Sequence, residues 1–328
     1  MKQVRWGIIG TGDIANRFAE ACKNTENAQL VAVCSRSAEK AEAFADKHGI
    51  PVRFGSYEAM AQSDAIDAAY IATPHSLHCP NGILFLQNGK AILSEKPITC
   101  NSEELERMVA CARENDVFLM EGMWARAVPG IVKIKELLDS GALGKVRGME
   151  GCFSYDMRDE PEHHAFKLEY GGGSMLDVGC YAMHFASWFA PAPVAEIQTV
   201  GDVSEANGTD DTCHVLLRYE DNSIAHMVSG MTLNRPSDGA IFCDDGRIAL
   251  NRFYATQDFV VYKEGEEPQE YHVPYKGNGF EHEIEEASCC ILAGKKESDL
   301  IPHAQSLEIM RQMDIVREKL GIVYPPQK

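Results

Sequence analysis

The sequence predicts an α/β protein in which a doubly wound parallel sheet comes first and an α+β region with an open, mainly antiparallel sheet follows. Three observations carry this. Strand-like apolar segments alternate with helix-like amphipathic ones up to residue 122, a glycine turn closes the first strand, and from Met123 onward strands begin to follow one another directly. The expected division is 1–122 and 123–328, two domains in a chain of 328 residues, consistent with roughly 100–200 residues per domain.

The first strand lies in Val4–Ile9, and Ile14, Phe18, Ala21 and Cys22 then recur at helical spacing. Gln29 to Cys34 reads as a buried strand, and a helix follows from Ser37 as N-cap to His48, closed by Gly49. A strand at Val52–Phe54, a short helix after Ser56 and an apolar strand at Ala68–Thr73 come next. A helix from Pro80 to Asn88 precedes a strand at Ala91–Ser94. Asn101 and Glu104 make a capping box for a helix ending near Asn115, and Val117–Met120 is the sixth strand. In the second region Pro129 starts a helix running to Ser140, Val146–Tyr155 is a strand, and a helix spans Ser174–Phe189. Strands follow at Ala195–Val200, Thr212–Tyr219 and Ser223–Thr232, the last two joined by a turn at Glu220-Asp221-Asn222. Shorter strands are expected around Ile248, Phe259–Tyr262 and Tyr271–Val273, and helices at Phe280–Ala293 and His303–Leu320.

Composition narrows the function. A formal charge of −18 argues against nucleic-acid or anionic-membrane partners, which need basic patches. No apolar run approaches the ~18 residues of a membrane span, and a strand beginning at residue 4 leaves no room for a leader. Eleven cysteines without a C-x-x-C pair indicate neither a disulfide framework nor a zinc site, and no carboxylate–histidine spacing supports another metal. Reduced thiols in a cytoplasm are the expectation.

Gly10, Gly12 and Ala15 give the spacing G-x-G-x-x-A directly after a strand. That spacing provides a tight turn, close backbone approach to a pyrophosphate and a small residue where helix meets strand. Thr11, Asp13 and Ile14 share this turn, and the helix behind it aims free N–H groups at the phosphates. The tip of the second strand selects the cofactor. NAD sites place an acid there, about 20 residues past the glycines; here it reads Ser35-Arg36-Ser37, with Lys40 a helical turn away. Arg36 pairing with a 2′-phosphate favours NADP(H) over NAD(H); stacking on adenine or pointing into solvent is the alternative. Strands four and five end on the nicotinamide side of such a sheet, and they run out into Thr73-Pro74-His75-Ser76-Leu77-His78 and Glu95-Lys96-Pro97.

These residues resemble the Gfo/Idh/MocA family of NAD(P)-dependent oxidoreductases. The likeness extends to Gly122-Met123-Trp124-Ala125-Arg126, to Gly171 through Tyr181 and to Phe280-Glu281-His282-Glu283. Tyr181, where many relatives carry His, points to the branch of dimeric dihydrodiol dehydrogenases, glucose-fructose oxidoreductases and NADP-dependent xylose dehydrogenases. His75 departs from the common Thr-Pro-Asn. The resemblance implies cofactor contacts from Thr73, Pro74, His75, His78, Glu95, Lys96 and Arg126. It also implies a nicotinamide and substrate cleft lined by Trp124, Phe153 and Phe280, and a sheet face used for a homodimer or higher homo-oligomer.

The chemistry follows from the residues as well. Asp177 and Tyr181, four apart after a three-glycine helix start, share a helical face. Oxidising an alcohol needs a base for the hydroxyl proton, and Tyr181 serves if its pKa, about 10 when unperturbed, is lowered. A lysine ammonium at ~4 Å supplies up to about 4 kcal/mol, roughly three pK units. Lys96 is assigned that part, Tyr181 the acid/base role and Asp177 an orienting one; read from the residues alone, Tyr181 also fits ordinary aromatic packing. The expected activity is NADP-dependent hydride transfer at a secondary alcohol or hemiacetal carbon of a sugar, polyol or trans-dihydrodiol. An NAD-dependent cyclitol dehydrogenase and a non-catalytic dinucleotide-binding regulator are the alternatives.

Overall fold

The computed structural model describes residues 2–325. The chain forms two compact units. One runs to Trp124 and resumes over Lys276–Leu307; the other comprises Ala125–Tyr275 and the chain from Glu308 onward.

The first unit alternates β1 (Val4–Ile9), α1 (Asp13–Cys22), β2 (Ala28–Cys34), α2 (Ala38–His48), β3 (Val52–Phe54), α3 (Tyr57–Ala61), β4 (Ala68–Ile71), α4 (His78–Gln87), β5 (Ala91–Glu95), α5 (Ser102–Glu114) and β6 (Leu119–Gly122). The six strands are parallel in the order β3-β2-β1-β4-β5-β6. Every residue of β4, β5 and β6 is buried, because both faces of a parallel sheet are covered; the strands are apolar except for Ser94, Glu95 and Glu121 toward the ends of β5 and β6. Local signals hold the helices. Ser37 accepts from Lys40 N, Gly49 closes α2 at φ +72°, and Asn101 accepts from Glu104 N.

The second unit contains α6 (Pro129–Asp139), β7 (Val146–Ser154), α7 (Cys180–Trp188), β8 (Val194–Val203), β9 (Asp210–Tyr219), β10 (Ile224–Gly230), β11 (Gly239–Cys243), β12 (Gly246–Leu250), β13 (Asp258–Lys263) and β14 (Gln269–His272). Its eight strands run β14-β13-β12-β11-β7-β10-β9-β8, antiparallel except for the β10–β7 pair. Helix α7 packs on β7 and β10. On the other face Val200, Leu216 and Ile224 are exposed, and strand pairing places them on one side with His214 and His226. Two further helices, α8 (Glu281–Leu292) and α9 (His303–Leu320), complete the chain.

Four features differ from the sequence reading. Residues 276–307, read there as part of one region 123–328, pack with the first sheet: Trp6 Nε1 donates to Ser288 Oγ at 3.0 Å, Leu119 N donates to Lys296 O at 3.0 Å, and His303 Nε2 lies 2.7 Å from Leu119 O. An apolar helix face does not say which sheet it covers. Strand β11 was not anticipated; the two-residue turn Asp244-Asp245 joins it to β12. The helix expected from Ser174 begins instead as a π-helical segment, Met175–Gly179, before α7. His78 opens α4 behind a 3-10 turn, His75–Leu77, instead of lying in a loop. Among the described residues no helix is long and apolar enough to cross a membrane, and no group of His, Cys, Asp and Glu is arranged to hold a metal.

Candidate active site

The turn after β1 requires its glycines for different reasons. Gly10 has φ +104°, and a Cβ there would sit 2.3 Å from Ala72 O, so only glycine fits. Gly12 is the N-cap of α1 without a side-chain cap, and a Cβ there would meet nothing within 4 Å. Open space and uncapped helix N–H groups meet at this point, which suits a pyrophosphate. Thr11, Asp13 and Ile14 line the same turn, with Asp13 exposed in the first helical turn. At the tip of β2, Ser35 is buried while Arg36 and Lys40 are exposed, and Arg36 has no ion pair among the described residues. These residues fit an adenosine phosphate.

At the ends of β4 and β5 the buried polar groups converge on main chain. His78 is wholly buried, with Nε2 2.7 Å from Thr73 O and Nδ1 2.9 Å from Pro97 O. Burial pushes its pKa down against the two carbonyls. His75, also buried, packs edge-on against it with ring centroids 5.7 Å apart, and Asn81 donates to Thr73 Oγ1 at 3.3 Å. Pro74 is extended between them. The buried carboxylate of Glu95 accepts from the Tyr70 hydroxyl and from Lys96 N, the latter at 3.1 Å. Lys96 itself is half-exposed, and the peptide bond joining it to Pro97 is cis. Ile98 N donates to Glu121 Oε1 at 3.3 Å, while Ser306 donates to Glu121 Oε2 at 2.6 Å. Glu283 of α8 is fully buried, and neither of its carboxyl oxygens has a hydrogen-bond partner among the described residues. Burial, then the charge of Glu95, hold it well above the usual carboxylate range. Trp124 and Phe280 stack in this unit with centroids 4.9 Å apart.

In the second unit a buried carboxylate organises the segment that carries Tyr181. Gly173 has φ +119°, and a Cβ on it would lie 2.2 Å from Asp210 Oδ1. Asp210 Oδ2 accepts from Ser174 Oγ and from Met175 N, both at 2.7 Å, and Ser174 Oγ also lies 2.9 Å from Ser229 Oγ. Burial pushes the Asp210 carboxyl up to about 6 despite these donors. One orphan backbone donor at the start of the π-segment, Met175 N, is thereby taken, and irregular turns of this kind often occur at functional positions.

Asp177 and Tyr181, both buried, leave this segment toward an aromatic group. Tyr155 donates its hydroxyl to Asp177 Oδ2 at 2.9 Å. Tyr181 packs 5.5 Å from Phe153 and 5.7 Å from Tyr254, while Phe153 and Tyr254 stack in parallel at 3.9 Å. A small cleft is lined by Arg126, Tyr181, His184, Trp188, Phe253 and Tyr254. The Arg126 guanidinium lies 3.9 Å above the Trp188 ring, with 2% of its surface exposed. Sequence reasoning missed Tyr155, His184, Tyr254 and Asp210. Tyr155 was within reach, since it alternates with Phe153 along one strand; Asp210 had no local signal.

Residues 4–123 match the family model for an oxidoreductase family with an NAD-binding Rossmann fold, and residues 131–249 match the GFO/IDH/MocA C-terminal domain. Proteins named trans-1,2-dihydrobenzene-1,2-diol dehydrogenase are similar end to end. The one from Mus musculus is 33% identical, covering 99% of both chains, and the one from Danio rerio 34%, covering 98% of both. Among solved structures, a 3-ketoreductase from Actinomadura kijaniata in complex with NADP and TDP-benzene superposes with a TM-score of 0.88 at 26% identity, covering 97% of this chain and 98% of that one. An aldose-aldose oxidoreductase from Caulobacter crescentus shares the fold, with a TM-score of 0.89 at 22% identity over 98% of each chain.

Proposed function

The chain belongs to the Gfo/Idh/MocA family of oxidoreductases, and from that premise we propose that it is an NADP-dependent dehydrogenase of vicinal diols, with trans-dihydrodiols, aldoses and polyols as the substrate class. The observation that carries this reading is the 33% identity across 99% of both chains to a dihydrodiol dehydrogenase, together with a lysine directly after β5 and a tyrosine after the π-segment in this chain.

The residues divide the work. Gly10, Gly12 and the start of α1 hold the pyrophosphate, with Arg36, Ser35 and Lys40 around the 2′-phosphate. A bound nicotinamide supplies the hydride acceptor in oxidation and the donor in reduction. Tyr181 takes the proton of the substrate hydroxyl as the carbon–hydrogen bond breaks, and returns it in the reverse direction. Lys96 stabilises the phenolate that this requires, and Asp177, anchored by Tyr155, orients the substrate hydroxyl. Phe153, Trp124 and Phe280 supply apolar surface for the ring. The sheet face bearing Val200, Leu216 and Ile224 is assigned to self-association as a dimer.

The test is the rate of NADPH formation from NADP with a panel of trans-dihydrodiols, aldoses and cyclitols, with NAD in parallel. Turnover of one class with NADP supports the reading. Turnover with NAD alone removes the part given to Arg36. Silence in both directions with NADPH still bound moves the assignment to a regulatory dinucleotide-binding protein.

A further inference from the structure

We propose that His78 is a positioning residue for Lys96, wedged between the turn after β4 and the turn after β5 so that the two keep a fixed register. The proposal rests on the reading of Lys96 as part of the catalytic machinery.

Three consecutive main-chain groups at and beyond Lys96 are held by buried side chains of the same unit. Lys96 N donates to Glu95 Oε2 at 3.1 Å, Pro97 O faces His78 Nδ1 at 2.9 Å, and Ile98 N donates to Glu121 Oε1 at 3.3 Å. Proline has no N–H, so its carbonyl is the only polar handle that Pro97 offers. His78 is the side chain that faces it. The other ring nitrogen lies 2.7 Å from Thr73 O, in the turn after β4. A ring with one N–H donates to one of these carbonyls, and an imidazolium donates to both; in every state both nitrogens are turned toward protein. With 0% of the residue exposed, no ring edge is left for a ligand, so the part implied for His78 in cofactor contact gives way to one exerted through main chain. The charged and titratable groups around it are Lys96, which lowers its pKa, Glu121, which raises it, and the neighbouring ring of His75.

The experiment compares His78→Phe, which keeps an aromatic ring but no N–H, with His78→Gln, which restores an N–H donor, and with Lys96→Met. Each is assayed for kcat, KM, the kinetic pKa of the acid/base step and NADPH affinity by fluorescence quenching. Displacing a catalytic group by about 1 Å costs on the order of 100-fold, so His78→Phe is expected to lose 10- to 100-fold in kcat, roughly that scale or less. KM and NADPH affinity are expected to stay near wild type, and the kinetic pKa to rise by about one unit as the ammonium moves away. His78→Gln is expected to recover most of kcat. Should His78→Phe fail to fold, His78→Asn, whose shorter amide cannot span both carbonyls, takes its place against His78→Gln.

Wild-type kcat and kinetic pKa in His78→Phe, or a loss of NADPH affinity as large as the loss of kcat, overturns the proposal. Lys96→Met separates the two levels. If it retains turnover, the reading of Lys96 has failed; if it abolishes turnover while His78→Phe is silent, only the inference about His78 has failed.

Discussion

Lys96 and Tyr181 are each fixed by buried polar groups, but by groups of different origin. Around Lys96 the support is local to a doubly wound sheet: a strand end, the following turn, and side chains from β5, the start of α4 and β6 that grip the main chain. Every sheet of this type has such a strand end, on the side where a ligand binds. Around Tyr181 the support is one carboxylate, Asp210, which lies 36 residues beyond Ser174 and accepts from Ser174 Oγ and Met175 N where the π-segment begins. The first arrangement is a property of the architecture, whereas the second depends on a single buried charge.

The largest effects are expected at the two groups themselves. Tyr181→Phe and Lys96→Met should each lower kcat by roughly 100- to 10,000-fold, the range for loss of general acid–base function, with NADPH affinity by fluorescence titration little changed. Near-normal turnover in either variant would remove its residue from the chemistry and leave the comparison as one between two structural supports.

A pair of glycine substitutions sharpens the contrast. Gly173→Ala drives a methyl group to within 2.2 Å of Asp210 Oδ1 at a backbone φ of +119°. Loss of melting temperature corresponding to roughly 3 kcal/mol or more is expected, since it combines backbone strain with a disturbed buried charge. Gly12→Ala has open space around the added methyl group and an ordinary φ of −78°. Its melting temperature should hold while NADPH affinity falls, because the methyl group fills the approach to the phosphates. Equal destabilisation by both substitutions would erase the distinction between a glycine kept for the fold and one kept for a ligand.

The same contrast explains what was legible in the sequence. Gly10, Gly12, Ser37, Asn101 and Pro129 act on backbone within a few residues of themselves, so their spacing alone announces a turn or a cap, and the parallel order of the six strands follows from the alternation they punctuate. Lys96 was legible because the end of β5 has a known place in such a sheet. Tyr70, Glu121, Glu283 and Asp210 were not, since each acts on something distant along the chain: Tyr70 on Glu95, Glu121 on Ile98 and Ser306, Glu283 on Glu95, Asp210 on Ser174. A buried carboxyl group carries no periodicity of its own, and in the sequence it reads as one more surface acid. The π-segment was not legible either: its start is held by Asp210, 36 residues beyond Ser174, and no spacing within Met175–Gly179 announces it.

Asp210 also gives the second unit a dependence on pH. Its carboxyl titrates near 6 in the folded protein, above the ordinary aspartate value of about 3.9, so the folded state binds this proton more tightly than the unfolded chain does. The stabilisation from this group is therefore complete below about pH 4 and is lost as pH rises through 6, amounting to at most about 3 kcal/mol. Urea unfolding of wild type and Asp210→Asn between these limits is the measurement. The wild type should lose stability relative to the variant as pH rises, and parallel curves would mean that Asp210 is ionised in both states.

The smallest expected effect concerns Arg36, and it tests the first unit at a position that the fold does not need. The side chain is exposed at the tip of β2 and makes no ion pair among the described residues, so Arg36→Ala should leave the melting temperature within the small range of surface substitutions. A guanidinium pairing with a 2′-phosphate in solvent is partly screened, and a loss of about tenfold in NADPH affinity, near 1.4 kcal/mol, is the expected scale. NADH affinity should not move. Raising salt should narrow the preference for NADPH more in the wild type than in the variant, which keeps only Lys40 as a cation near the 2′-phosphate. An equal loss of both cofactors would instead place Arg36 against the adenine ring, where stacking is indifferent to the 2′-phosphate.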